Sequence, residues 1–569
     1  MKIIKYLNYL LIFILLFVGF FHPITAITQD LGRHFLLGEI ILKTFSVPKI
    51  NLFSYTYPNF PFINLHWLSE VIFYLVYKLI NFNGLLIFST FIVIISFLLI
   101  FIKAQKDRLS PAVITIGSIL YLRVLFERTD IRPEIFSFLF LSIFVFILYK
   151  YRDKFTNWIF ILPFLELLWV NMHIYFIVGI AVLFLFLFED LIQNRNKTLT
   201  NKTKVLILVF ILSLLSTLFN PNGLRGTLYP FVFQQNYGYT IEENQNIFFL
   251  WNYSQKETII YFAVSAILLL SSFIALFKKA RLIDFFLTVL FVYLSISAIR
   301  NFPLFVFGTF IAFSYNFSII AKTASVKITK YILYFLTIVL IFQITQISKI
   351  NNFGFGVDTG AKNAADFFLQ NNLKDTIFNN FDIGSYAEYR FYPKHKVFID
   401  GRPGEYPADF FKNTYIPMQY DESVFESVDE KYKFNTIFFS YLDQTPWANS
   451  FLYKIVRNNN WKIIYIDDYV IILVKNNADN KKLIEKYAMD LSNLKFSNLN
   501  DKDKMSLIRA SVFLNKVGLK SQEVKIYEKL LKIDPNFCPA LYNLFTFYLE
   551  ENKDLSNVYL FKYQKSCIR

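Results

Sequence analysis

Apolar stretches long enough to cross a bilayer recur through the first two thirds of this chain, leaving little room for any fold but a helical membrane bundle. A span needs about 20 apolar residues. The candidates are 5–26, 84–103, 109–126, 131–150, 157–173, 174–192, 204–220, 257–277, 282–299, 302–321 and 329–348, eleven in all. Only 18% of the 569 residues are charged, below the roughly 25% of soluble globular chains. The segment 66–80 is shorter and carries Glu70 and Lys78, so it reads as an interfacial helix that does not cross. Met1-Lys2-Ile3-Ile4-Lys5 and the apolar run behind it imitate a secretory signal. The run exceeds a signal core, so a retained first span is expected rather than cleavage near Ala26.

The net charge of +16 would suggest nucleic acid in a soluble protein. Here it reflects basic loops and contact with anionic membrane lipids, and no nucleic-acid partner is expected. The basic loops are Lys103, Lys106 and Arg108; Lys150, Arg152 and Lys154; Arg195, Lys197, Lys202 and Lys204; Lys278, Lys279 and Arg281; and Lys322, Lys327 and Lys330. If 66–80 does not cross, all five fall on one side, with Lys2 and Lys5. The positive-inside rule then puts the N-terminus in the cytoplasm and the chain beyond the last span outside a plasma or inner membrane. Cys538 and Cys567 are the only cysteines. They are expected to be unpaired, with no thiolate metal site or disulfide framework.

The other set of loops mixes acids, amides and bases: Asp30, Arg33 and His34; Glu127, Arg128, Asp130, Arg132 and Glu134; Asn171 and His173; Glu242 and Glu243; Arg300 and Asn301. Such groups at a membrane surface are costly to hold without a function. Residues 30–44 suit a helix on the membrane, with Asp30 and His34 as i, i+4 neighbours. Asp30 could deprotonate an acceptor hydroxyl while Arg33 holds a phosphate. The alternative is a helix cap by Asp30 paired with Arg33 or His34. Asp30 and His34 could also share a divalent metal with Glu242 or Glu243, though two ligands from one segment are a weak signal.

Beyond the last span, 351–476 reads as a small α/β domain. Its strand candidates are Thr376–Asn379, Lys396–Asp400, Thr436–Tyr441, Lys462–Asp467 and Tyr469–Lys475. The tail, 477–569, is helical and polar. Leu507, Leu514, Gly518, Tyr527, Leu530 and Pro535 follow a tetratricopeptide pattern, giving one to two repeats. Such a tail packs on the α/β domain or meets a protein partner.

The run Asp30-Leu31-Gly32-Arg33-His34, Gly38, Val47-Pro48, Phe53-Ser54-Tyr55-Thr56 and His66-Trp67-Leu68-Ser69-Glu70 resembles the first-loop pattern of GT-C-fold glycosyltransferases. These include the family 39 mannosyltransferase type and other polyprenyl-phosphate-sugar enzymes. Ile131-Arg132-Pro133-Glu134, Leu168-Trp169-Val170-Asn171-Met172-His173, Phe219-Asn220-Pro221-Asn222-Gly223 and Ala298-Ile299-Arg300-Asn301 add to it. The resemblance covers about 1–350 and, more loosely, the segment around Asp400-Gly401-Arg402-Pro403. It implies a polyprenyl-phosphate sugar donor and Asp30 as catalytic base; the acidic pair common in that class is a single Asp30 here.

Other residues carry two readings each. Arg132 and Arg300 could bind a lipid phosphate through the guanidinium fork or simply snorkel to the interface. His173 could touch substrate or satisfy a turn. Glu243 could supply a second acid or lie on a solvated loop face. Tyr55 and Trp67 could stack on sugar or serve as interfacial aromatics, and Asn220-Pro221-Asn222-Gly223 is a turn signal. Asp400-Gly401-Arg402-Pro403 reads as a turn able to contact the membrane part. No Walker A, zinc-helix or nucleophile-elbow pattern occurs.

The reading is a mainly α protein of three parts: a GT-C-like membrane domain (1–350, about eleven spans), an extracytoplasmic α/β domain (351–476) and a tetratricopeptide-like tail (477–569). It would transfer a sugar from a polyprenyl-phosphate carrier to an extracytoplasmic glycan, lipid or protein. Asp30 would be the base, with Arg33, His34, Arg132, His173, Glu243 and Arg300 binding substrate. No cofactor is firmly implied, a divalent metal being the open case. The rival readings are a transporter or flippase of lipid-linked glycans and a non-catalytic envelope scaffold.

Overall fold

The computed structural model describes all residues except 1, 26–28, 107–109, 196–197, 233–236, 239–240, 324–325 and 569. Arg108 and Lys197 of the basic loops, and Ala26, lie outside the described residues. The first part is a helical bundle: α1 (Lys2–Phe20), α2 (Leu31–Thr44), α3 (Trp67–Lys106), α4 (Pro111–Leu125), α5 (Glu134–Asp153), α6 (Leu162–Trp169) and α7 (Phe176–Gln193). It continues with α8 (Asn201–Ser216), α9 (Gly223–Val232), α10 (Ile247–Ser254), α11 (Glu257–Ala275), α12 (Leu282–Ser297), α13 (Phe302–Ile320) and α14 (Val326–Ile350).

Among the described residues, seven helices are long and apolar enough to cross a membrane by length and composition. The expected spans 109–126, 157–173 and 282–299 appear instead as three shorter apolar helices. In 157–173 the helix is broken: a 3-10 turn over Asn157–Ile161 precedes an eight-residue α6, which carries Pro near its start and stops before the Asn171–His173 turn. As expected, the segment 66–80 forms a helix of its own: α3 holds two helices that meet at a kink, where Ile80 and Asn81 (φ 57°) leave the helical region.

Charges at other helix ends are neutralised by partners on a neighbouring helix or, for Arg281, one turn along the same helix. Lys103 meets Asp153 at 2.6 Å, Arg152 forks onto Glu189 at 2.8 and 3.1 Å, and Arg281 meets Asp284 at 2.8 Å. Left unpaired in apolar surroundings, each would be strongly destabilising. The bundle core is rich in phenylalanine, with Phe138, Phe144, Phe305 and Phe310 fully buried.

After α15 (Lys362–Gln370) comes a four-stranded sheet in the order β1-β2-β4-β3: β1 (Ile377–Asn379), β2 (Thr436–Ser440), β3 (Trp461–Ile466) and β4 (Val470–Lys475). β1 pairs parallel to β2, and β4 runs antiparallel between β2 and β3. Both faces of β2 are buried, with apolar Ile437, Phe438 and Phe439 between Thr436 and Ser440. α16 (Phe381–Phe391) follows β1 and packs on α2 of the bundle.

The expected strand Lys396–Asp400 does not join the sheet. Its backbone is satisfied otherwise: Phe398 N donates to Asn379 Oδ1, Asn379 Nδ2 donates to Ile399 O, and Val397 exchanges bonds with Phe53 O and Tyr55 N. The tail forms two helix hairpins, Lys504–Lys516 with Lys520–Ile533 and Cys538–Glu551 with Lys553–Cys567. Against expectation the cysteines are paired: Cys538 and Cys567 form a disulfide closing the second hairpin. Their neighbours in space, not in sequence, bring them together, since antiparallel helices place residues 29 apart side by side.

Candidate functional site

α2 positions the first group of side chains. Leu31, Phe35, Leu37 and Ile41 bury one face, while His34 and Gly38, one turn apart, face the start of α3. A Cβ on Gly38 would lie 2.2 Å from Glu70 O, so only glycine permits this approach. The approach lets His34 Nδ1 meet Glu70 Oε1 at 3.0 Å, with Asn64 Nδ2 donating to Glu70 Oε2 at 2.6 Å. Burial holds the His34 imidazole below its ordinary pKa, against the opposing pull of Glu70.

Asp30 precedes α2 but makes no capping hydrogen bond through its side chain. Its carboxylate accepts from Arg33 Nη2 at 2.9 Å and lies 3.7 Å from Arg132 Nη1. Burial alone would raise its pKa. Arg33, Arg132 and His34 outweigh that and hold the carboxyl well below the usual range. The side chain still keeps 28% of its surface accessible, so a ligand can reach it.

Arg132 connects Asp30 to Glu243, whose Oε2 accepts from Arg132 at 2.9 Å and from Arg128 at 2.5 Å. Arg128 also forks onto Glu134 at 2.7 and 3.0 Å. Arg300 Nη1 lies 3.7 Å from Glu243 Oε1 and donates to Asn244 Oδ1 at 2.9 Å, while its Nε donates to the Tyr175 hydroxyl at 3.1 Å. Burial works to raise the Glu243 pKa, but Arg128, Arg300 and Arg132 bring it down to about 2. Asp30, Arg33, Arg132, Glu243 and Arg300 thus form one chain of ion pairs.

His173 joins a second, aromatic line. Its Nδ1 lies 2.9 Å from Ser137 Oγ, which also accepts from Trp169 Nε1 at 2.8 Å. The His66 ring lies between His34 and His173, with centroids 6.2 and 5.2 Å away. Burial pushes the His173 imidazole well below its ordinary pKa.

The sheet-bearing part closes over this centre. Glu388 of α16 lies 3.8 Å from Arg33 Nε and 3.4 Å from Arg402 Nη2. Arg402 also contacts Asp400 at 2.9 and 2.8 Å and Glu405 at 2.5 Å, and it covers the rings of Phe53 and Phe62 at 5.0 and 5.1 Å. Burial pushes Glu388 well up and Glu405 to about 8, even with Arg402 pulling both down. A Cβ on Gly401 would lie 3.8 Å from Asp30 Oδ1, so the Asp400-Gly401-Arg402 turn is a direct neighbour of the candidate base.

Some residues stay outside. Glu242 pairs with Lys256 at 2.9 Å, and Tyr55 donates to Ile377 O at 2.8 Å. Trp67 Nε1 donates to Asn171 Oδ1 at 2.7 Å, and Asn220 braces its own turn by accepting from Asn222 N at 2.9 Å. The metal reading fares poorly. Asp30 faces arginines while His34 faces Glu70, and no group of three or more His, Cys, Asp or Glu among the described residues is placed to hold a metal ion. The donor set does not fit. Sequence reasoning gave no role to Arg128, Glu134, Tyr175, His66, Glu70 or Glu388; their polar character beside span ends was the available signal for the first five.

No protein-family model matches the chain, and no curated protein matches it. Among solved structures, the oligosaccharyltransferase AglB from Archaeoglobus fulgidus, in complex with an inhibitory peptide and a dolichol-phosphate, superposes with a TM-score of 0.60 at 10% identity. That match covers 93% of this chain and 86% of that one. The apo form of the A. fulgidus oligosaccharyltransferase gives 0.59 at 9% identity, covering 92% and 86%. ArnT from Cupriavidus metallidurans in the apo state gives 0.48 at 10% identity, covering 81% and 95%. At such identity the likeness to AglB shows the fold alone: this chain shares the fold of that oligosaccharyltransferase.

Proposed function

We propose that this chain is an integral-membrane glycosyltransferase using a polyprenyl-phosphate-linked sugar, with Asp30 as general base. The observation that carries the reading is the Asp30 carboxylate between Arg33 and Arg132, at 2.9 and 3.7 Å. A proton acceptor and two anion-binding forks stand side by side, as transfer from a phosphate leaving group requires. The acceptor hydroxyl loses its proton to Asp30 as its oxygen bonds to the anomeric carbon. The bond from that carbon to the phosphate oxygen breaks, the configuration inverts, and polyprenyl phosphate leaves with the electron pair.

At rest the arginines make Asp30 a weak base. A bound phosphate competes for them, and the carboxylate regains basicity when the substrate is in place. His34 and His173 line this centre, and Arg132, Arg300 and Glu243 hold the phosphate-binding side together. The dolichol-phosphate in the AglB structure is in keeping with a lipid-linked donor.

The site end of the bundle and everything after 350 belong outside the cytoplasm in this reading, and the N-terminus inside. The Cys538–Cys567 disulfide supports that orientation, because structural disulfides persist in oxidising compartments. The acceptor is a glycan, lipid or protein on that side. Residues 351–476 act as a separate α/β domain, and the tetratricopeptide-like hairpins of 477–569 offer a partner surface.

The test is reconstitution of the full chain in liposomes with polyprenyl-phosphate mannose or glucose and an acceptor extract. The reading requires released polyprenyl phosphate and a labelled glycoside. Lipid movement across the bilayer with the sugar–phosphate bond intact would contradict it and favour a transporter.

A further inference from the structure

We infer that His66 contacts the sugar of the lipid donor and helps to select it; the inference rests on the transferase reading above. His66 immediately precedes α3, and its backbone is fixed on both sides. Its N donates to Asn64 Oδ1 at 2.8 Å, and its O accepts from Glu70 N at 3.0 Å. These bonds hold the ring between His34 and His173, tilted by 59° and 58° rather than stacked.

The side chains around it are already engaged. His34 is held by Glu70, His173 by Ser137, Arg33 by Asp30, and Arg300 by Asn244 and Tyr175. The ring nitrogens of His66 make no hydrogen bond among the described residues, and the residue is only half-buried. With the accessible Asp30 carboxylate, it is a group of this centre that a ligand can reach.

Its chemistry suits a hydroxyl rather than a phosphate. Burial and the neighbouring His34 bring its pKa down to about 3, with Arg33 and Arg300 adding to the effect and Glu70 opposing it. The neutral imidazole offers one N–H donor and one acceptor nitrogen. A sugar hydroxyl likewise donates and accepts. Cationic groups are already plentiful in this centre; a neutral two-way partner is what His66 adds.

The experiment uses the full chain in nanodiscs and measures binding of polyprenyl-phosphate mannose, polyprenyl-phosphate glucose and sugar-free polyprenyl phosphate. For wild type, at least one sugar-bearing lipid should bind more tightly than the sugar-free one. His66→Ala should weaken that lipid about tenfold, the value of one hydrogen bond at this scale, and leave the sugar-free lipid unchanged. His66→Gln, which keeps a donor and an acceptor, should restore most of the difference. Equal weakening of all three lipids would mean a phosphate or packing role and overturn the inference, as would an unchanged preference. Wild type that binds none of the three would contradict the transferase reading itself, a pattern distinct from either.

Discussion

Arg33 at the start of the first loop helix and Glu388 of the sheet-bearing part lie 3.8 Å apart, joining the candidate base to a region far along the chain. Through Glu388 the contact continues to Arg402, which faces Asp400, Glu405 and Glu388 together. Removing one partner of a buried charge network leaves the rest uncompensated, at about 3–5 kcal/mol. Arg402→Ala should therefore destabilise the protein on that scale, measured as a lowered thermal midpoint in detergent. A change confined to turnover would argue against the network as described.

Gly38 sets the spacing between α2 and α3. Because its Cβ position falls 2.2 Å from the Glu70 carbonyl oxygen, Gly38→Leu must push the helices apart and break the His34–Glu70 pair. Loss of folded protein or of nearly all activity is expected. Fluorescence size-exclusion profiles like those of wild type, with full activity, would refute this packing.

Two carboxylates give opposite pH responses. Glu243 has its pKa lowered from 4.5 to about 2, so it contributes stability above the unfolded value that is lost as pH falls from about 4.5 towards 2. Glu405 is raised from 4.5 to about 8, so the folded state holds its proton and stability declines as pH rises across that interval. Glu243→Gln should flatten the acid limb of a plot of thermal midpoint against pH, and Glu405→Gln the decline between about pH 4.5 and 8. Parallel curves for wild type and both variants would contradict these assignments.

The tail disulfide links residues 29 apart, and closing such a loop stabilises by about 3–4 kcal/mol in the chain-entropy view. Cys538→Ser should make the last two helices more sensitive to limited proteolysis while sugar transfer continues at the wild-type rate. In intact cells, a thiol-reactive probe unable to cross membranes should label the remaining Cys567.

Much of the framework was legible in the sequence because apolar runs of helical length have few alternatives. β2 and β4 fell close to the apolar runs that mark them. What failed depended on partners distant in sequence. Lys396–Asp400 has strand composition, yet Asn379 and the 53–55 segment satisfy its backbone outside the sheet. The helix expected over 66–80 is set off from the following span as read, by the non-helical backbone of Ile80 and Asn81. For the site, Asp30, Arg33, Arg132, Glu243 and Arg300 stood out because charge beside a span is costly. Glu388 gave no such signal, being one acid among many in a polar stretch.

The most direct measurement is sugar transfer by Asp30→Asn in proteoliposomes, at matched yield and with polyprenyl phosphate binding checked. Asn keeps the shape of the side chain but cannot take the acceptor's proton, so transfer should fall by about 100-fold or more while the lipid still binds. Transfer at the wild-type rate would contradict the assignment of Asp30 as the base.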